Sequence, residues 1–198
     1  MQRPNKIQGI ISYIIAATFL LYEMAVQTSP SIMTTQLMHD LSIDAFTIGI
    51  ISASYFISYS LMQIPVGLIL DRLSIRLNLT LAIITCAIGS FMFAHGDSVL
   101  MLCLARLLMG FGSAFAFVSV LAIAHHWFSG RIFALLVGLA QLLAAFGAWA
   151  GEYPLKNYML HHANWRSSMV MLGVIGLFLG LFALLFIGKQ QQSTTPKP

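Results

Sequence analysis

The chain alternates long apolar runs with short polar punctuation, and the runs set its architecture. Six stretches qualify as spans, approximately 9–27, 45–70, 77–94, 99–122, 132–151 and 168–187. Crossing a hydrocarbon layer about 30 Å thick takes about 20 apolar residues in a helix rising about 1.5 Å per residue. The pattern therefore predicts an all-α membrane domain of six transmembrane helices over residues 1–188. Strands are excluded as the spanning element, because a barrel shows alternating polarity in segments about ten residues long. Arg3 and Lys6 precede the first run as they would in a signal peptide. That run continues to about Gln27, past a signal core of about 7 to 15 residues, and no clear small-residue cleavage site follows, so it is read as a retained helix. Residues 189–198 are polar and read as a cytoplasmic tail.

Composition agrees with the pattern. Of 198 residues, 59% are hydrophobic and 8% charged, against about 25% charged in a soluble domain. The net charge of +4 comes from Lys and Arg scattered singly between apolar runs. They form no basic patch, so nucleic acid is not an expected partner and the lipid bilayer is. With the N-terminus inside, the cytoplasmic segments hold seven basic residues, Arg3, Lys6, Arg72, Arg76, Arg131, Lys189 and Lys197, and the opposite loops hold two, Lys156 and Arg166. That asymmetry predicts both termini in the cytoplasm of a bacterial inner membrane protein. Cys86 and Cys103 fall inside apolar runs and read as packing residues. The pairs His125-His126 and His161-His162 fall at predicted helix ends on opposite sides of the membrane and read as interfacial. No metal, cofactor or nucleotide motif and no catalytic triad is expected, and the chain does not read as an enzyme.

Two ionisable residues lie well inside predicted spans, Glu23 and Arg106. A charge near mid-bilayer costs at least about 2.5 to 3.5 kcal/mol, so each needs a partner or a water-filled cavity, unless it snorkels from a helix end. Glu23 lies 14 residues beyond Gly9, about 21 Å along its helix, and Arg106 lies seven residues after Val99, about 10 Å from the opposite surface. Their depths agree, which predicts a direct interaction between them. Glu152, at the end of the fifth run, is a rival carboxylate for Arg106. Ser52, Tyr55, Tyr59 and Gln63 share a face of the second helix at helical spacing, and Gln141 lies in the fifth. These are candidates for solute contact or for interhelical hydrogen bonding. Pro65 is expected to bend the second helix. Ala140, Ala144 and Ala148, Gly147 with Gly151, and Gly176 with Gly180 have the spacing of closely packed membrane helices.

The segment Gly67-Leu68-Ile69-Leu70-Asp71-Arg72-Leu73-Ser74-Ile75-Arg76 resembles the Gly-x-x-x-Asp-Arg-x-Gly-x-Arg signature of the major facilitator superfamily, with Ser74 in place of Gly. Its place between the second and third helices is also the family's. Arg106 followed by Gly110 and Gly112, and Trp127-Phe128 leading through Arg131 into a Gly- and Ala-rich helix, agree with it. The segments Ser29-Pro30-Ser31-Ile32-Met33 and Met62-Gln63-Ile64-Pro65-Val66-Gly67 are similar to bacterial members that import small organic molecules.

The resemblance implies two inverted three-helix repeats, with helices one, two, four and five lining a central path. It implies that Gly67, Asp71, Arg72 and Arg76 form a conformational latch at the cytoplasmic surface. It also implies secondary transport by alternating access, driven by protons or a solute gradient, of a small organic solute, with an anion among the candidates. Family members usually have twelve helices, and the match covers the N-terminal six. The partner wall then comes from a complementary six-helix half or from a homodimer. The alternative is a non-transporting split-gene remnant or fragment that folds as a bundle and associates with another membrane protein.

Overall fold

The computed structural model describes residues 6–162 and 164–187, apart from the side chains of Asp71 and His162. Residues 189–198, Arg3, Lys189 and Lys197 thus lie outside the described residues. Seven helices are present among the described residues: α1 (Lys6–Thr28), α2 (Pro30–Leu41), α3 (Ala45–Arg72), α4 (Ile75–Ala94), α5 (Val99–Trp127), α6 (Gly130–His162) and α7 (Trp165–Phe186). They make six membrane spans, because α1 and α2 run on as one, Lys6–Leu41. One end of the bundle carries Lys6, Arg72, Arg76 and Arg131 and is called the basic end below.

Short polar side chains start the helices. Asp44 accepts from the Thr47 N–H at 2.9 Å and from its hydroxyl at 2.6 Å, satisfying a backbone donor that the first turn of α3 leaves open. The same two bonds hold the Asp44 carboxyl below the usual aspartate range. A depressed value in the folded chain means that this cap contributes above the ordinary range and is lost as pH falls through the lowered value. Ser74 and Ser98 cap α4 and α5, and Asn164 with Ser167 forms a reciprocal capping box on α7. Ser74 sits at φ −62° and ψ 143°. That is ordinary extended backbone, so a serine in place of the signature's glycine introduces no strain.

The sequence pattern places the first break near Gln27 and the end of the fifth span near Gly151. Instead the chain turns into α2 directly, because Ser29 keeps helical angles of φ −51° and ψ −35°. Continuing α6 to His162 places Pro154 inside the helix and His161 in its last turn. Pro65 likewise lies within α3.

Packing divides the helices into buried and exposed sets. α1, α4 and α5 bury most of their surface, whereas α3 and α6 bury the least. The closest pairings are α4 with α5 and α7, α3 with α5, and α6 with α1. Span one therefore packs on span five, and span four on span two, so each three-helix repeat is completed by a helix of the other. Two glycines permit this. A Cβ on Gly110 of α5 would overlap the Tyr55 carbonyl of α3, and one on Gly147 of α6 would overlap the Leu21 carbonyl of α1. Tyr13 donates to the Leu136 carbonyl at 2.6 Å and Thr28 to the Ala148 carbonyl at 3.2 Å, adding polar ties between α1 and α6.

At the end opposite the basic one, α2 is fastened to the start of α7. The Trp165 N–H donates to Gln36 Oε1 and its indole Nε1 to Asp40 Oδ2, each at 2.9 Å. Arg166 donates to the carbonyls of Ala94 and Gly96 and pairs with Asp97 at 2.8 Å.

Candidate functional site

The site is built where α1, α3 and α5 meet. Gly110 lets α3 approach α5 so closely that Tyr55 is driven fully into the bundle, at 0% exposure. Its hydroxyl donates to Glu23 Oε2 at 2.9 Å, and its ring lies 4.4 Å from the Arg106 guanidinium carbon. Glu23 and Arg106 are each 1% exposed. Neither reaches water, so the snorkelling reading does not hold for this conformation.

Arg106 does not pair with Glu23. The ion pairs within 4.0 Å among the described residues are His39 with Asp40 and Arg166 with Asp97. The expected direct bridge is replaced by Tyr55, which binds the carboxylate through its hydroxyl and the cation through its ring face. Arg106 donates instead to the carbonyls of Val26 at 3.1 Å and Gln27 at 3.2 Å, with a weaker approach to Met109 Sδ at 3.7 Å. The physical reason is Pro30. It has no N–H for the Val26 carbonyl four residues back, and those carbonyls carry the partial negative charge of the α1 C-terminus. Equal depth was a sound inference from helical rise, but depth does not fix the direction in which a side chain leaves its helix.

Two buried atoms in this cluster have no hydrogen-bond partner among the described residues, Glu23 Oε1 and Arg106 Nε. An unsatisfied buried polar group costs about 1 to 3 kcal/mol, more when charged. A site that leaves one acceptor and one donor open around a single aromatic ring is arranged to receive something polar, whether water, a proton or a solute group.

The other candidates fall in three places. Tyr59 is half-buried and stacks on Tyr55, with ring centroids 6.1 Å apart, which extends the aromatic wall toward the exposed face of α3. Gln63 is exposed on α3 and hydrogen-bonds Tyr59 at the rim of that wall, and Gln141 is exposed on α6, away from the cluster. Glu152 is exposed and makes no ion pair with a described residue. It is not the rival partner of Arg106, because Gly151 is the position that α6 turns onto α1 and residue 152 points away. Gly67 and Arg72 are exposed at the basic end and Arg76 is half-buried, while the Asp71 side chain lies outside the described residues. Sequence reading missed the roles of Pro30 and Asn78. Asn78 is buried and donates to the Leu73 carbonyl at 3.1 Å, pinning the loop of the signature segment. A polar residue one turn into an apolar helix, directly after that signature, was the available signal.

A six-helix membrane bundle of two inverted repeats with a buried ionisable pair at mid-span defines the class, a solute transporter fold. The family model of the Major Facilitator Superfamily matches residues 15–198, and the chain belongs to that family. It is 25% identical to the probable L-galactonate transporter of Escherichia coli over 91% of this chain and 40% of that protein. Against the hexuronate transporter of Bacillus subtilis it is 24% identical over 83% and 39%. The probable galactarate/D-glucarate transporter of the same bacterium is 26% identical over 78% and 35%. The chain thus spans about two fifths of the length of these relatives. In structure it is similar to a bacterial homologue of the human lysosomal transporter Spinster in an inward-facing, occupied conformation, with a TM-score of 0.81, 15% identity, and 91% and 44% coverage.

Proposed function

We propose that this chain supplies one six-helix half of a secondary transporter that moves a small organic anion across the bacterial inner membrane by alternating access. The observation that carries the reading is the buried Glu23–Tyr55–Arg106 cluster with an open atom at each charged end. Relatives whose names specify sugar acids support an anion as the solute. In this reading an anionic group takes Arg106 from the Val26 and Gln27 carbonyls, Tyr55 shifts with it, and Glu23 is released to accept a proton from outside. Neutralising the carboxylate removes the largest barrier to reorienting the site. Gly67, Asp71, Arg72 and Arg76 latch one conformation at the cytoplasmic surface.

The second wall of the pathway comes from another six-helix body, a complementary half or a second copy, seated on α3 and α6. Both helices present an exposed stripe at alternating spacings of four and three. One is Gly49, Ala53, Phe56, Ser60, Gln63 and Gly67, and the other is Ala134, Gly138, Gln141, Ala145, Ala148 and Glu152, in which Ala148 is half-exposed. Small residues allow backbones to approach, and the exposed amides of Gln63 and Gln141 offer further hydrogen bonds that lipid cannot take up. Tyr55 meets Glu23, while Gly147 and Gly151 bracket the level of Glu23 on α6. Gln63 lies eight residues from Tyr55, and Gln141 eight from Trp149, both toward the basic end, so the two amides share one depth. Cysteines at Ser60 and Ala145 are expected to crosslink this chain to that second body in native membranes. A chain that stays monomeric while transporting overturns the seam.

Uptake of radiolabelled sugar acids is expected only in vesicles that also hold a complementary or second half. Uptake absent in every combination favours the non-transporting reading, in which the bundle only associates with another membrane protein.

Topology is tested separately. The basic end is read as cytoplasmic, so cysteines at Ser42 and His161 are expected to react with an impermeant reagent from outside, and one at Ser74 only after permeabilisation. The reverse pattern overturns the orientation.

A further inference from the structure

The break in the first span has a specific chemical defect and a specific remedy. Ser29 holds helical angles, so the backbone at residue 30 follows the path on which its N–H would meet the Val26 carbonyl. Pro30 has no N–H to offer, and its ring pushes that carbonyl aside. The Ser29 N–H bonds the Ala25 carbonyl at 3.0 Å, and the next carbonyl, Val26, is the one that faces the missing donor. The Val26 carbonyl thus loses its helical partner in the bilayer interior, where such a group has no water to turn to. Ser29 Oγ reaches the Val26 carbonyl at 2.9 Å, and the Arg106 fork supplies one N–H to each carbonyl.

We propose that Arg106 is a positioning residue that substitutes for the donor Pro30 lacks, and that the α1–α2 junction is thereby a joint held closed from the neighbouring span. A helix break in lipid needs an external donor, and a guanidinium is suited to the task because its fixed fork serves two adjacent acceptors at once. The joint governs α2, whose Met33 and Leu37 are at 0% and 1% exposure. With the Arg106 fork in place, α2 stays seated against the bundle; with Arg106 withdrawn, the Val26 carbonyl keeps only the Ser29 hydroxyl and α2 loosens. This inference concerns a mechanical element and does not depend on the transport reading.

The test uses the full chain in liposomes without any solute. Met33→Cys serves as the reporter, and the rate of its modification by an impermeant maleimide measures how often α2 lifts. Adding Arg106→Gln is expected to raise that rate by about tenfold, the factor that follows from about 1.4 kcal/mol of lost closure. Adding Pro30→Ala to that variant restores an N–H at residue 30 and is expected to bring the rate back to within about twofold, since the backbone bond replaces the lost donor. Arg106→Lys, with charge but no fork, is expected to fall between. If Arg106→Gln fails to fold, Pro30→Ala with Arg106 intact is still expected to slow modification below that of the parent. A rate unchanged by Arg106→Gln, no rescue by Pro30→Ala, or no slowing by Pro30→Ala alone overturns the proposal. None of these readouts involves uptake, so a failure of transport leaves the joint standing.

Discussion

Solute uptake by the assembled transporter is expected to fall at least about 100-fold in Arg106→Ala, the equivalent of about 2.7 kcal/mol and within the range for a lost hydrogen bond to a charged group. Arg106→Lys is expected to lose less, because an ammonium keeps the charge but cannot hold two oxygens in one plane. Glu23→Gln tests the other end of the cluster. The amide can still accept from the Tyr55 hydroxyl, now 2.9 Å from the carboxylate, but it cannot carry a proton. Uptake in that variant is therefore expected to lose most of its dependence on external pH while solute affinity changes little. Measuring uptake across a pH series for the three variants separates the roles. Parental pH dependence in Glu23→Gln removes it from coupling, and parental solute affinity in Arg106→Ala removes it from binding. Tyr55→Phe completes the set: it keeps the ring under the guanidinium and deletes the hydroxyl that donates to Glu23 and also bonds Ser113, so its effect is read on the carboxylate side of the ring.

The second large effect is steric. Gly110→Ala places a methyl group where the Tyr55 carbonyl lies, and the atoms it meets are Tyr55 backbone atoms that no rotamer change can move aside. α3 must shift away from α5, which loosens the Tyr55 contacts to Glu23 and Arg106 together. Overpacking of this kind costs about 1 to 3 kcal/mol or more. Thermal unfolding of the purified chain in detergent is expected at a lower midpoint by about 5 °C, taking about 2 to 4 °C per kcal/mol for a chain of this size. Gly138→Ala is the matched control. Nothing lies within 4 Å of a Cβ there, and alanine in a helix is more favourable than glycine by about 0.5 to 1 kcal/mol, so its midpoint is expected to hold or rise. Equal midpoints in the two variants would contradict the close approach of α3 and α5.

The signature segment shows how local chemistry was legible while its surroundings were not. Its spacing could be read directly, with Ser74 standing in place of the signature's Gly. The structure gives that serine extended angles and a role as the cap of α4, a function that the residue type favours on its own. The stabilising contact from Asn78 to the Leu73 carbonyl joins residues five apart across a bend, which no helical periodicity encodes.

The sequence by itself determined the number of spans, their helical nature and the two ionisable residues inside them, because each follows from a one-dimensional requirement: about 20 apolar residues to cross a bilayer and a penalty for any charge among them. It also led to the expectation that Glu23 and Arg106 lie at similar depths, since helical rise is additive along the chain. Only the tertiary structure decided whom each one meets. The azimuth of a side chain depends on how helices rotate against one another, and here that was set by Gly110 against Tyr55 and by Gly147 against Leu21. Those contacts placed an aromatic ring between the two charges and turned Arg106 toward the Val26 carbonyl that Pro30 leaves open and the adjacent Gln27 carbonyl. Proline was visible in the sequence, but the donor that compensates it stands 76 residues away on another helix. A partner that distant is chosen by packing, and packing is a property of the folded bundle alone.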